Sequence, residues 1–281
     1  MKITNCTIGK LYGIISFLLL SSNVFSQQTH VLITSSKGYS ERFSKVFEHS
    51  SLHPVAIPMI ETIIPERMED MDSLISHIYN YKYIAFSSRK AIQAFADRLD
   101  ENMDISGIKF CAIGKDTEYM HDRLANINSV EPNEPSPMGI ARKLAEDKSI
   151  KGKTIAVLVP LVREIPEPDV VPDFLAELEK IGMNVTRINA YITQPADRAK
   201  IQKAVKLIAS QQIKCIAFTS SAEIEILLQN IEDKSILNNV VIACFGPYTA
   251  AFAKKKGLNV SLVAKDFSSF SGFLKAIEDH F

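Results

Sequence analysis

The chain has 281 residues, with 32 Lys+Arg against 32 Asp+Glu, 46% hydrophobic residues and no Trp. A formal net charge of zero excludes the basic excess by which proteins hold nucleic acid or anionic membrane surfaces. The hydrophobic fraction, with only 11 Gly and 12 Pro, excludes a disordered or fibrous chain and leaves a folded protein of one large or two small domains.

Residues 1–27 differ from the rest. Lys2 and Lys10 precede an apolar run from Leu11 to Leu20, and Ser21-Ser22-Asn23-Val24-Phe25-Ser26-Gln27 follows. A positive start, a short hydrophobic segment and small residues at a possible cut are the pattern of a signal-like leader. The run is too short to cross a bilayer comfortably, and a mis-chosen start codon or an unstructured extension reads the same way. The folded part is expected to begin near Thr29 on any of these readings.

From there, short β-rich runs alternate with helical patterns. HVLIT (30–34) precedes SERFSKVFEH, YKYIAFS (81–87) precedes RKAIQAFADRL, and KFCAIG (109–114) precedes TEYMHDRLA. TIAVLV (154–159) then precedes PDFLAELEKIG, KCIAFTS (214–220) precedes AEIEILLQNI, and VIACFG (241–246) precedes TAAFAKKKG. Strands apolar along their whole length are buried on both faces, as when helices cover a parallel sheet. The expected fold is therefore α/β, of doubly wound type. Cys6 lies in the leader, and Cys111, Cys215 and Cys244 sit inside apolar runs that read as buried strands. His49 and His53 have i,i+4 spacing, but Pro54 spoils a helical metal site, so no metal centre is expected.

The chain also repeats itself. A shift of 132 places Ile84-Ala85-Phe86-Ser87-Ser88 on Ile216-Ala217-Phe218-Thr219-Ser220, Ile92 on Ile224, Gly114 on Gly246, Thr117 on Thr249 and Ser136 on Ser268. A shift of 130 places Val55 on Val185 and Pro65 on Pro195. Two copies of one α/β unit are expected.

Each copy carries polar residues just after a strand and at a helix start: Thr34-Ser35-Ser36, Ser87-Ser88-Arg89, Gly114-Lys115-Asp116-Thr117, Thr219-Ser220-Ser221, Gly246-Pro247-Tyr248-Thr249 and Ser268-Ser269. Helix capping alone accounts for many such residues. In a parallel α/β sheet these turns gather at the carboxyl ends of the strands, where free N–H groups and helix dipoles favour carboxylates or phosphates. Arg89, Lys115 and Arg163 supply cations to the same place. GxGxxG after a strand, GxxxxGK[ST], HExxH, CxxC and GxSxG are all absent from the sequence. The residues by themselves indicate a cleft for a polyanionic ligand handled without a cofactor.

The succession of motifs goes further. VLIT with a following Ser, YIAFSSRKAIQAF, AIG-x-x-T, S-x-x-G-I-A-x-x-L, Arg163 with F-L-A-E-L-E-K-I-G-M-N-V, Ala190-Tyr191-Ile192-Thr193, IAFTSSAEIEILL and FGPYTAAFAKKKGLNV follow one another in this order. From about His30 to the C-terminus the chain resembles the uroporphyrinogen-III synthase family. The resemblance implies a cytoplasmic, cofactor-independent lyase of tetrapyrrole and haem biosynthesis that uses no metal. Such an enzyme closes hydroxymethylbilane into uroporphyrinogen III with inversion of ring D and loss of water, and acts as a monomer. It implies two α/β domains joined by a pair of extended strands, the first discontinuous (28–59 with 190–281) and the second 60–189, with crossings near Pro58 to Pro65 and Ile188 to Pro195. Tyr191 matches the family's tyrosine in the strand leading back, and a hydrogen bond from its hydroxyl would assist the leaving hydroxyl. Thr249 matches the helix-starting threonine after Gly-Pro, and Ser88, Thr117 and Ser220 match other cleft positions; the remaining substrate-binding candidates are Thr34, Ser35, Ser87, Arg89, Gly114, Lys115, Ser136, Arg163, Thr219, Gly246, Tyr248 and Ser268.

The chain departs from the family pattern in three places. Ser35-Ser36 stands where the first loop often has Arg, Pro166-Glu167-Pro168-Asp169 brings carboxylates to the loop after the fourth strand, and the leader is foreign to a cytoplasmic role. An exported two-domain binding protein for a polyanionic small ligand and a non-catalytic paralogue of the synthase stay open as alternatives on these grounds.

Overall fold

The structure is a computed structural model and describes residues 28–281; the signal-like leader lies outside the described residues. Eleven strands are described: β1 His30–Ile33, β2 His53–Ala56, β3 Ile60–Ile63, β4 Tyr83–Phe86, β5 Lys109–Cys111, β6 Asn128–Val130, β7 Thr154–Val162, β8 Asn184–Pro195, β9 Cys215–Phe218, β10 Val241–Cys244 and β11 Leu262–Val263. The α-helices are α1 Lys37–Lys45, α2 Glu69–Ser76, α3 Arg89–Ala96, α4 Asp116–Arg123, α5 Pro137–Ala145, α6 Val170–Lys180, α7 Arg198–Ala209, α8 Ser221–Gln229, α9 Pro247–Lys255 and α10 Phe270–Glu278.

The strands form two sheets, ordered β2-β1-β9-β10-β11 and β8-β7-β4-β5-β6, with β3 added antiparallel outside β8. All other pairings are parallel. Counted along the repeat copies, both follow the doubly wound order second, first, third, fourth, fifth; in chain order the second sheet is its circular permutation, fifth, fourth, first, second, third. The repeat thus has a spatial meaning, because each copy gives its first two strands to one sheet and its last three to the other. β4-β5-β6 correspond to β9-β10-β11, and β7-β8 to β1-β2.

Alternation along the strands builds the cores. In β4, Ile84 and Phe86 pack with α2, α3 and α4, while Tyr83 and Ala85 pack with α5 and α6 on the other face. The five-stranded sheet repeats this layering, with α7, α8 and α9 on one face and α1 and α10 on the other. Cys111, Cys215 and Cys244 are free thiols within these layers, and burial pushes all three upward in pKa.

The two sheets are joined by β3 and β8. Ile60 pairs with Pro195 and Ile63 with Ile192, and the Ala196 N–H donates to Met59 O at 2.9 Å. Residues Ala190–Pro195 continue β8, so the strand runs unbroken from its parallel pairing with β7 into the antiparallel pair with β3. An irregularity between Val159 and Pro160 shifts the β7–β8 register at the level of Tyr191.

Candidate active site

In each sheet the chain winds one way from the first strand and the other way from the third, which leaves a crevice between their carboxyl ends. The crevices lie between β4 and β7 in one sheet and between β1 and β9 in the other.

At β4/β7 the turn after β4 supplies Ser87, Ser88 and Arg89. Ser87 donates to Leu158 O at 2.9 Å, tying the two strand ends together. Ser88 caps α3, its Oγ accepting from the Ala91 N–H at 3.3 Å and donating to the Tyr191 hydroxyl at 2.9 Å. Tyr191 arrives from β8 and is 6% exposed. Burial pushes its phenol up to about 12, against the opposing bond from Ser88. The phenol therefore keeps its proton near neutral pH, and because its oxygen accepts from Ser88, its own hydrogen is left to be donated.

Beside this pair stands a charged group. Arg89 Nε donates to Asp116 Oδ1 at 2.9 Å, and its guanidinium lies 4.4 Å from the Tyr119 ring centre. Asp116 is pushed up in pKa chiefly by burial, with Arg89 and Arg42 acting the other way. Tyr39, from α1 of the facing sheet, is raised by burial and then by Asp116 and Tyr191. Arg42 stacks 4.5 Å over the Tyr39 ring. Tyr39 and Arg42, from the facing sheet, thus share an electrostatic neighbourhood with Asp116, Arg89 and Tyr191.

The remaining expected residues fall into three kinds. Lys115 and Arg163 are exposed, and among the described residues neither forms an ion pair; the Arg163 N–H is held by Thr193 O at 2.9 Å. Gly114 (φ 53°) and Ser268 meet across the cleft: a Cβ on Gly114 would lie 3.6 Å from Ser268 backbone and 3.1 Å from Pro135. Thr117 starts α4, its N–H donating to Gly114 O at 3.1 Å. Ser136 caps α5 through the Gly139 N–H at 2.9 Å. The matching cap of α10 is Ser269, which accepts from the Gly272 N–H at 3.0 Å, while Ser268 donates to Asp266 at 2.5 Å. The repeat is therefore longer by one residue at this turn than the shift of 132 allows.

At β1/β9 the expected residues turn inward. Ser35 is buried against Ser40 at 3.2 Å. Thr34, Thr219 and Ser220 all point at the carboxyl of Glu223, a residue with no exposed surface. Gly246 precedes α9, and Thr249 Oγ1 lies 3.4 Å from Thr219 O. Tyr248 reaches the facing sheet and donates to Glu134 at 2.9 Å, where Arg142 also lies 3.2 Å from its hydroxyl. The carboxylates of the lengthened loop are both engaged: Glu167 accepts two bonds from Arg187, at 2.6 and 3.0 Å, and Asp169 accepts from Lys255 at 2.6 Å.

Sequence reasoning missed Tyr39, Arg42, Glu134 and Glu223, and placed Asp116 at a strand-end turn without giving it a role in the site. Glu223 alone had a local signal, three residues after the cap Ser220 in the spacing of a capping box. Among the described residues no group of three or more His, Cys, Asp and Glu is placed to hold a metal ion, and no helix is long and apolar enough to cross a membrane.

Comparison with known proteins agrees in sequence and in fold. A family model described as uroporphyrinogen-III synthase HemD matches residues 41–273. The uroporphyrinogen-III synthase of Chlorobaculum parvum is 26% identical over 256 residues, covering 89% of this chain and 98% of that protein. The porphyrin biosynthesis protein HemD of Ruminiclostridium josui is 23% identical over 245 residues, 84% of this chain and 46% of that longer protein. A crystal structure of a mutant uroporphyrinogen III synthase from Thermus thermophilus superposes with a TM-score of 0.59 at 16% identity, over 89% of this chain and 99% of that one.

Proposed function

The chain belongs to the uroporphyrinogen-III synthase family, and from that membership we propose that it closes linear hydroxymethylbilane into uroporphyrinogen III, inverting ring D and releasing water. The observation that carries this reading is the Ser88–Tyr191 pair: a protonated phenol, fixed by a serine at the β4/β7 crevice, with its own hydrogen free to donate.

In this mechanism the ring-A pyrrole nitrogen expels the terminal hydroxyl and loses its own hydrogen, giving an azafulvene and water. Tyr191 donates a hydrogen bond to the departing oxygen, where charge develops. The substituted carbon of ring D attacks the azafulvene to give a spiro intermediate, which fragments and closes again with the ring inverted. The pyrroles supply the electrons, so the protein's contribution is mainly positioning: holding the chain so that the hindered carbon reaches the azafulvene before the unhindered one. Lys115 and Arg163 are the cations open to the substrate's carboxylates, and Arg89 becomes a third when a ligand carboxylate replaces Asp116.

On this reading the enzyme is a cyclising hydro-lyase acting in the cytoplasm as a monomer, since one chain supplies both walls of the cleft. The two units act as domains, 28–59 with 196–281 and 60–195, the 190–195 end of β8 pairing in the six-stranded sheet and the units meeting at the β3–β8 pair. A tetrapyrrole enters when the Tyr248–Glu134 and Lys255–Asp169 contacts part, and the domains close again around it. The test couples purified protein to a source of hydroxymethylbilane and separates the isomers after oxidation. Predominant type III is expected, and only type I, the isomer that forms spontaneously, would refute the proposal.

A further inference from the structure

At the mouth of the five-stranded sheet, β1 and β9 lie side by side, but their chains leave to opposite faces. α1 packs with α10 on one face, and α8 packs with α7 and α9 on the other. Loops that part in this way leave the crevice where α/β sheets take anionic ligands. Here the crevice contains the Glu223 carboxyl, with no exposed surface. Its Oε1 accepts from Thr219 Oγ1 at 2.6 Å and Ser220 Oγ at 2.9 Å. Its Oε2 accepts from the Thr219 N–H at 2.9 Å and lies 2.6 Å from Thr34 Oγ1. Two hydroxyls and an N–H after β9, with a third hydroxyl at the end of β1, are the groups a ligand carboxylate would use. Burial nevertheless pushes Glu223 above the usual carboxylate range, against these four bonds.

The duplicated unit supplies an internal comparison. The residue 132 positions earlier is Ala91, which has no carboxyl, and there the serine equivalent to Ser220 is Ser88, which bonds Tyr191 instead. The two crevices are alike in topology, but a carboxyl takes the serine in one and a phenol in the other.

We propose that Glu223 is an intramolecular ligand, its carboxyl filling the anion crevice of the five-stranded unit, so that of the two duplicated crevices only the one at β4/β7 takes a substrate carboxylate. The identity of the substrate rests on the synthase reading; the filling of the crevice does not. A molecule with eight carboxylates facing two equivalent crevices would bind in two orientations, and filling one removes the second. Glu223 is thus a positioning residue that sets which end of the linear tetrapyrrole lies beside Tyr191.

Glu223→Ala deletes a CH₂–COO⁻ fragment, which acetate replaces atom for atom. In the full chain the variant is expected to unfold at lower temperature than the wild type, and acetate, at ionic strength fixed with chloride, is expected to restore its Tm along a saturable curve while leaving the wild type unmoved. Acetamide, with one acceptor oxygen fewer, is expected to restore less. A variant Tm that responds to acetate no more than the wild type overturns the proposal. Glu223→Gln keeps the crevice filled should the alanine variant fail to fold. It is expected to ignore acetate and to hold KM for hydroxymethylbilane within about threefold of wild type, whereas a rise of about tenfold or more means that substrate uses the carboxylate itself and overturns the proposal. The acetate measurement needs no substrate, so its failure is distinct from a failure to form the type III isomer.

Discussion

On the proposed mechanism, Tyr191 is the residue at which a single substitution tests the chemistry. Its phenol is kept protonated by burial up to about 12, so catalysis is expected to show no alkaline limb from this group across the range where the protein is folded. Tyr191→Phe removes one hydrogen-bond donor to a developing negative charge and leaves the ring packing in place. The expected result is a fall in kcat of roughly tenfold to a hundredfold with little change in KM or Tm. An unchanged kcat would make Tyr191 a packing residue of the β7–β8 register shift and nothing more. The placement of Ser88 and Arg89 at the turn after β4 was legible, because they follow an apolar run in a strand-to-helix motif. Tyr39 was not, because its electrostatic neighbourhood with Asp116 and Tyr191 joins residues from different sheets. Glu223 shows the intermediate case: the S-x-x-E spacing announces a cap, but only the third dimension adds Thr34 from a strand 189 residues away.

At the scale of elements, the first turn of α5 offers a sharp test. A Cβ on Gly139 would run into the Glu134 carbonyl oxygen, and it is Glu134 whose carboxylate takes the Tyr248 hydroxyl from the facing unit. Alanine in a helix usually stabilises relative to glycine, by about 0.5–1 kcal/mol. Here the clash with backbone is expected to win, and Gly139→Ala should cost about 1–3 kcal/mol in denaturant titration. Gly38→Ala in α1, where nothing lies within 4 Å of the added carbon, should instead be neutral or slightly stabilising. Equal gains at both positions would contradict the packing described. The strands apolar on both faces and the six helices that follow them were read correctly from pattern alone. The short strands β6 and β11 were not, since three and two half-exposed or exposed residues carry no periodicity. α2 was also missed, because EDMDSLIS buries only Met71 and Leu74. α7 did carry a signal, the Asp197 cap with Ile201, Ala204 and Ile208 at helical spacing.

Across the whole molecule, the repeat and the sheets fit together only if the two copies exchange halves. The exchange explains why the chain crosses between units twice and why the crossings lie adjacent, with the Ala196 N–H on Met59 O. All six strands of the β3–β8 sheet and both helical layers that cover it come from one continuous stretch, 60–195. That stretch has its own two-sided core, so the isolated fragment is expected to unfold cooperatively in urea as a soluble unit; a non-cooperative transition would show that it depends on the five-stranded unit. Between the units, Tyr248 bonds Glu134 and Lys255 pairs with Asp169, while Ile60 and Ile165 pack into the core of the five-stranded unit. If this cleft imposes ring inversion, as proposed, a single turnover measures it most directly. With the protein in molar excess over hydroxymethylbilane, the wild type should return predominantly the type III isomer, and Tyr191→Phe should return it more slowly and with more type I. Predominant type I from the wild type under these conditions would mean that the cleft does not impose inversion.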